Sequence, residues 1–430
     1  MSNTGVDDIL PVDENTIKTS PSASQSRNKI QMFKAIFRDH LPEIEALNPR
    51  SCVLENISRM LNCGDPAKGG FMYACPDCGK HVRFVPVTCG SRFCPSCGHA
   101  YNMKRANAMK CKINKDPHRH VVFTIPQELR PFFRAFRESL NDLSAAVSDT
   151  LSYIARKVSS SQEYDYGAIL AFHTFGRDLK WNPHCHVLLC NNVYGNTKGS
   201  QPLFLSYPLL RKSFQRSLLK RLQDRFGTVF SKLSSLLYKT YSNGFYVHAP
   251  LQNVNTHSLI SYIGRYLGRP PIASSRLDDY DGKDVTFHYT RHEDDKMVSE
   301  TLPAIDFIKK LIVHIPDKYF KMVRYLGFYS SEGANKSKIT KFNMQPKVPP
   351  AAKKSTLDAL KWRASMIRSF SVDPLLCPLC GATMEPVFFT WEKGTHYYPN
   401  FLRSEAVEIH SNHIMKISMS PAKASKHSTA

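Results

Sequence analysis

The chain has 430 residues, 42% hydrophobic and 11% aromatic, which suits two or three folded domains and excludes a largely disordered protein. Lys and Arg number 58 against 36 Asp and Glu, a formal charge of +22. That excess fits a polyanionic partner such as nucleic acid, although a generic basic surface has the same composition. No run of about 20 apolar residues is present, so no membrane span is expected. The polar, acidic start MSNTGVDDILPVDENTIK does not resemble an export signal, so a cytoplasmic location is expected.

Residues 1–28, rich in Ser, Thr, Asn and Asp, read as a disordered arm. From Ile30 the pattern turns helical, with Ile30, Phe33, Ile36 and Phe37 on one face and an end near Pro42. A second helix carries Val53, Leu54, Ile57, Met60 and Leu61 on one buried stripe. Both lead into a segment holding six of the 12 cysteines, from Cys63 to Cys97, and the stretch 29–112 reads as a helical, zinc-ribbon-like module. In a long chain this crowding favours metal-bound thiolates over disulfides.

Cys75, Cys78, Cys94 and Cys97 form the pattern C-x2-C-x15-C-x2-C. Two residues between thiolates let both sulfurs of a tight turn reach one tetrahedral ion, and Gly79 and Gly98 relieve the turns. Nothing nearby offers a general base or an open coordination position, so the zinc expected there is structural and the module a DNA-binding one. Cys63 and Cys89 either complete a second zinc site, with His81 or His99, or are buried free thiols. Arg83, Arg92, Lys104, Arg105 and Lys110 flank the module and suit DNA or water equally.

Residues 116–330 read as an α+β unit. His120–Ile125 is a short buried strand ended by Pro126. Phe132, Phe133, Phe136, Leu140, Leu143, Val147, Leu151 and Ile154 predict one long amphipathic helix. Two strands, 168–174 and 184–190, form a hairpin across the loop GRDLKWNP. A helix over 209–226 carries Arg211, Lys212, Arg216, Lys220, Arg221 and Arg225, either a DNA track or a solvated face. A strand (245–249), a helix (about 256–268), a strand (285–289) and a helix (302–314) follow, and the segment to Tyr329 closes the domain. Residues 331–356 read as a linker, and 357–430 as a small C-terminal region with a disordered tail. There Cys377 and Cys380 make half of a zinc knuckle, with His396 or another chain as candidates to complete it.

Within WNPHCHVLLC, strand alternation turns His184, His186 and Leu188 to one face and Cys185, Val187 and Leu189 to the other. Two imidazoles at that spacing can clasp one divalent ion and leave positions for water and phosphate oxygens, as a Mg²⁺ or Mn²⁺ phosphoryl-transfer site requires. Unpaired, two imidazoles on a buried strand would be costly. A third ligand is expected, and His173 on the neighbouring strand is either that ligand or a satisfied core histidine. Further on, Tyr262 and Tyr266 lie four apart on the expected helix, one turn from each other, with Arg265 and Arg269 able to approach phosphates. They are either two core aromatics or a pair of nucleophiles able to form phosphotyrosine links.

Across these motifs the chain resembles the insertion sequence 91 family of transposases, within the HUH (His-hydrophobic-His) nucleases. The resemblance is carried by TCGSRFCPSC, HVVFTIPQELR, FHTFGRDLKWNPHCHVLL, YIGRYLGRPPIASSRL, VTFHY, HIPDKYFKMVRYLGFYS and CPLCG. It implies an antiparallel sheet flanked by helices, with the histidines on a central strand and the tyrosines on a nearby helix. It further implies His184 and His186 as ligands of the catalytic ion and Tyr262 and Tyr266 as nucleophiles. The activity implied is rolling-circle transposition: cleavage of single-stranded element ends and target through 5′-phosphotyrosine, then strand transfer. The middle residue, Cys185, departs from the usual branched aliphatic but stays apolar. The implied partner is DNA, in a bacterial cytoplasm and associated with the nucleoid through it, and an oligomer is compatible. A replication initiator or relaxase would use the same chemistry. A non-enzymatic zinc-dependent DNA-binding protein would explain the cysteines and charge but give the histidine and tyrosine pairs no role.

Overall fold

The computed structural model describes residues 23–98, 101–102, 113–158, 164–195, 200–250, 270–291, 294–330, 373–391 and 394–397, with 363, 364 and 367. At its centre is a five-stranded antiparallel sheet. In spatial order it contains β13 (Val323–Gly327), β5 (Gly167–Phe175), β6 (Trp181–Cys190), β3 (His118–Thr124) and β9 (Val247–His248). The histidine-bearing strand β6 is therefore the middle one, and its run from Val187 to Cys190 is buried on both faces, which explains the near-continuous apolar sequence.

The two faces of this sheet divide the labour. Cys185, Val187 and Leu189 join Leu170, Phe172, Val121 and Phe123 in a core covered by the helices Ser139–Arg156 and Tyr207–Phe226. The opposite face carries the histidines and a smaller apolar cluster of Ile169, Ala171, Leu188, Cys190, Phe328 and Tyr329. The register pairs His173 with His184 and Ala171 with His186. Beyond that pair β6 holds one extra residue opposite Thr174, at Asn182–Pro183. Proline cannot donate to the ladder, so the bulge falls beside it.

A second core joins parts of the chain far apart in sequence. The helices Ala23–Asp39, Leu41–Ala46 and Ser51–Leu61 bury Phe33, Ile36, Phe37 and Ile57 against Phe287, Phe307 and Ile308. Those partners belong to a separate antiparallel sheet, β10 (Leu277–Tyr280), β11 (Asp284–Thr290) and β12 (Met297–Pro303), and to the helix Ala304–Ile312. The expected strand 285–289 and helix 302–314 thus exist, but they pack on the N-terminal module rather than extending the central sheet. Leu302 still lies in β12, and the helix begins only after Pro303. A third sheet, in the order β15 (Gly394–Tyr397), β14 (Glu385–Trp391), β1 (Gly70–Ala74) and β2 (Val82–Pro86), unites the C-terminal region with the cysteine-rich segment. A small sheet of β4 (Tyr164–Asp165), β7 (Asn192–Gly195) and β8 (Ser200–Pro202) completes the strands among the described residues.

Other sequence expectations are adjusted. The single helix from Phe132 to Ile154 is broken into Leu129–Ala135 and Ser139–Arg156, with Phe136 non-helical at φ −114°, ψ 77°. The break lets the Arg137 guanidinium donate to the Val313 and Ile315 carbonyls at 2.9 and 3.3 Å. A further helix, Thr228–Thr240, follows the turn at Gly227, whose φ of 57° suits glycine. The strand over 245–249 shortens to Val247–His248, and the helix expected over 256–268 lies outside the described residues. Among the described residues no helix is long and apolar enough to cross a membrane.

Candidate functional site

Three imidazoles converge on the face of the central sheet opposite the helices Ser139–Arg156 and Tyr207–Phe226. His173, His184 and His186 place one ring nitrogen each within 4.8 Å of the others. The Nε2 atoms of His184 and His186 are 3.1 Å apart. Ligands at right angles on an ion with bonds of about 2.1 Å are about 3 Å apart, so this spacing is what a shared cation needs. Two unprotonated nitrogens that close would otherwise repel. Their Nδ1 atoms are held from behind: His184 Nδ1–H donates to the Asn182 carbonyl at 2.7 Å, and His186 Nδ1 lies 2.8 Å from His120 Nε2. With His186 Nδ1–H donating to His120, both Nε2 lone pairs face inward, the arrangement that orients histidine ligands.

Electrostatics agree with ligation. Burial lowers His186 well below its ordinary value, and His173, His184 and His120 add to the shift. Burial lowers His184 against the opposing effect of the Asn182 carbonyl, and it lowers His120 to about 4, with His248 and His184 adding. At neutral pH these rings are uncharged and their lone pairs are available.

The cysteines are grouped differently from the expected C-x2-C-x15-C-x2-C set. Cys94 and Cys97 meet Cys63 and Cys89, whereas Cys75 and Cys78 meet Cys377 and Cys380. In the first cluster the Cys97 sulfur is 3.4 Å from that of Cys63 and 3.6 Å from that of Cys89. The backbone N–H groups of Cys89 and Ser91 donate to the sulfurs of Cys63 and Cys89, both at 3.4 Å. Hydrogen bonds from Cys89, Cys94 and Cys97 hold the Cys63 thiol far below its ordinary range. The reason for the regrouping is geometric. The β1–β2 hairpin carries Cys75 and Cys78 away on its tip, while its base returns Cys89 to the end of the helix that precedes Cys63. His81 contributes its carbonyl, which accepts from the Cys75 N–H at 3.0 Å, and belongs to neither cluster; His99 lies outside the described residues.

Tyr262, Tyr266, Arg265 and Arg269 lie outside the described residues. The flanking chain is described: Ala249 follows β9 beside the histidine-bearing sheet, its N–H donating to the Tyr207 hydroxyl at 3.1 Å, and Pro270 lies beside Gly98.

Two family models match this chain without overlap: "Transposase zinc-binding domain" over residues 36–125 and "Putative transposase" over residues 167–338. The chain is 29% identical to the "Transposase for insertion sequence element IS801" of Pseudomonas savastanoi pv. phaseolicola, over 78% of this chain and 83% of that relative. It belongs to the insertion sequence 91 family of transposases. The transposase is also 27% identical to the "Putative transposase y4qJ" of Sinorhizobium fredii, over 62% of this chain and 71% of the relative. No solved structure matches it. A structural zinc ion suits the Cys63–Cys89–Cys94–Cys97 cluster of its zinc-binding domain, and DNA is the substrate that membership of this family implies.

The sequence reading of the transposase missed His120 as part of the histidine cluster. A signal was present, because His118-Arg119-His120 repeats the alternation of His184-Cys185-His186. The basic face of the helix Tyr207–Phe226 is partly consumed internally: Arg221 pairs with Asp149 and Arg225 with Asp142, each at 2.6 Å, and Lys220 with Asp224 at 2.7 Å.

Proposed function

We propose that this transposase moves DNA by a rolling-circle route, cleaving and rejoining single strands through tyrosine nucleophiles at the imidazole cluster. The observation that carries the reading is the convergence of the His184 and His186 Nε2 atoms, 3.1 Å apart, on the central strand. His184, His186 and His173 would hold the ion. Three nitrogen donors suit Mn²⁺ better than Mg²⁺, which prefers oxygen. When bound, the ion would withdraw charge from the scissile phosphate and favour its attack by an oxygen nucleophile.

The nucleophiles in this reading are Tyr262 and Tyr266. A phenolate oxygen bonds to phosphorus while the bond from phosphorus to the 3′ oxygen breaks. The 3′ oxygen takes up a proton, and the 5′ phosphate stays esterified to tyrosine. Attack by a 3′ hydroxyl reverses the exchange and joins strands without a high-energy cofactor. Arg265 and Arg269 would bind the phosphates on either side. Element ends and target are bound as single strands, in the cytoplasm.

The test is incubation of the full chain with labelled single-stranded DNA and Mn²⁺. A denaturation-resistant protein–DNA adduct is expected, lost in the Tyr262→Phe/Tyr266→Phe double variant and in His184→Ala. An undiminished adduct in the double variant would overturn the assignment of nucleophiles. Substrate carrying two element ends separates this reading from a replication initiator: joining to a second site marks transposition, resealing alone marks initiation.

A further inference from the structure

We propose that Cys75, Cys78, Cys377 and Cys380 hold a second structural zinc ion that clasps the C-terminal region onto the N-terminal module, across the whole intervening chain. Neither family match extends to Cys377, so the second pair of ligands lies beyond the matched zinc-binding domain.

The four sulfurs all lie within 4.8 Å of one another. Cys75 is 3.4 Å from Cys380 and Cys78 is 3.8 Å from Cys377, pairs separated by 305 and 299 positions in the chain. A zinc ion with bonds of about 2.3 Å spaces tetrahedral sulfurs about 3.8 Å apart. The two halves are also alike in backbone. In Cys75-Pro76-Asp77-Cys78-Gly79 the glycine N–H donates to the first cysteine's carbonyl at 3.1 Å, with φ of 62°. In Cys377-Pro378-Leu379-Cys380-Gly381 the same bond is 2.9 Å, with φ of 78°. The first cysteine of each turn also donates its own N–H to a returning carbonyl, that of His81 at 3.0 Å and of Ala382 at 2.8 Å. These are two matching knuckles facing each other, the arrangement that closes a four-thiolate zinc site.

The chain around the knuckles is built for this closure. Strand β14 pairs along the whole of β1, from Gly70 opposite Thr390 to Ala74 opposite Glu385. A side chain at Gly69 would collide with the Thr390 carbonyl, so the glycine is required because β14 is seated there. Phe71 packs at a tilt against Phe389 with ring centroids 4.4 Å apart, and Arg83 donates to the Pro374 carbonyl at 2.8 Å. Met72, Ala74, Val387 and Phe388 make only a small buried cluster. So little apolar surface leaves much of the joint's stability to the ion, as in other small metal-held units. The clasp makes the module discontinuous: the central sheet is inserted between its two halves.

Zinc per full-length chain is to be measured in the parent and in five variants, the last combining the Cys75–Cys78 and Cys94–Cys97 pairs. Cys377→Ser/Cys380→Ser is expected to lose one zinc ion relative to the parent. Cys75→Ser/Cys78→Ser should lose the same one, so the quadruple variant loses no more than either pair. Cys94→Ser/Cys97→Ser should lose a different ion, additively. Undiminished zinc in Cys377→Ser/Cys380→Ser overturns the proposal, as does a shared loss between the Cys75 and Cys94 pairs. Should a variant fail to fold, the parent protein decides. Cys380 is exposed, so its thiol should resist alkylation while zinc is bound and react with Cys75, Cys78 and Cys377 after chelation. Equal alkylation of Cys380 before and after chelation overturns the proposal. Neither readout depends on DNA cleavage.

Discussion

His120 stands behind His186 at 2.8 Å and so fixes which nitrogen of that proposed ligand faces His184. Loss of such an outer partner costs about 10–100-fold in metal affinity. His120→Leu is therefore expected to weaken Mn²⁺ binding by about that factor in calorimetry, and His120→Gln, which keeps an acceptor, to recover part of it. Unchanged affinity in His120→Leu would remove His120 from the site. Its role was only half legible in the sequence. The alternation in His118-Arg119-His120 places both rings on one face, but only the register, Val122 opposite His186, sets His120 diagonally beside His186. Away from this cluster, His118 and His314 are each lowered by burial to about 4 from an ordinary 6.5. His118 bonds the Tyr329 hydroxyl and the Asp116 carbonyl, both at 2.7 Å; His314 bonds Thr174 and the Leu179 carbonyl. Between those pH values the unfolded chain binds more protons than the folded one. Their contribution is thus complete above pH 6.5 and is lost as pH falls toward 4, on the order of 3 kcal/mol for each ring. Urea midpoints should drop steeply over that window, and His118→Gln should flatten the drop; an equally steep profile in the variant would contradict this account.

Strand β6 shows how an element was read correctly and why others were not. Alternation alone sent His184 and His186 one way and Cys185 the other, and Cys185 is fully buried in the helix-side core. The hairpin partner was equally legible, since the GRDLKWNP loop separates two apolar runs. The break at Phe136 was not: the apolar spacing runs through it, and its cause is a tertiary contact. Arg137 reaches two carbonyls near residue 314 and lies 4.9 Å over the Trp181 ring. The sheet of β1, β2, β14 and β15 was illegible for a related reason: its two hairpins are local, but the β1–β14 pairing that joins them spans more than 300 positions. If the inward face of β6 is purely a packing surface, Cys185→Val should fold with a stability change under about 1.5 kcal/mol and bind Mn²⁺ as the parent does. Cys185→Asp would bury a carboxylate in the apolar helix-side core, where Arg324 is the charged group felt at that position, and should lower the urea midpoint steeply. A large loss of metal affinity in Cys185→Val, with the fold intact, would show that the thiol does more than pack.

The formal charge of +22 was readable from composition, but which basic groups are free for DNA was not, because ion pairs such as Arg225–Asp142 form only on folding. How far the N-terminal module's core extends was hidden by the same limit. A module ending near residue 112 looks self-contained in sequence, since the helices and cysteines are contiguous. In the structure Phe33, Ile36, Phe37, Phe93, Cys94 and Cys97 share one core with Phe287, Phe307, Ile308 and Leu311. Phe307 is wholly buried at that junction, and Phe307→Ala should destabilise it by about 3–5 kcal/mol. Because the first cysteine cluster sits in this same core, the loss should appear as faster zinc release to a chromogenic chelator from the full chain. The distant Phe214→Ala, in the core of the central sheet, should destabilise comparably in urea yet leave zinc release near the parent rate. If residues near 307 instead belonged energetically to the central sheet, the two variants would release zinc alike, and the N-terminal module would unfold independently of both.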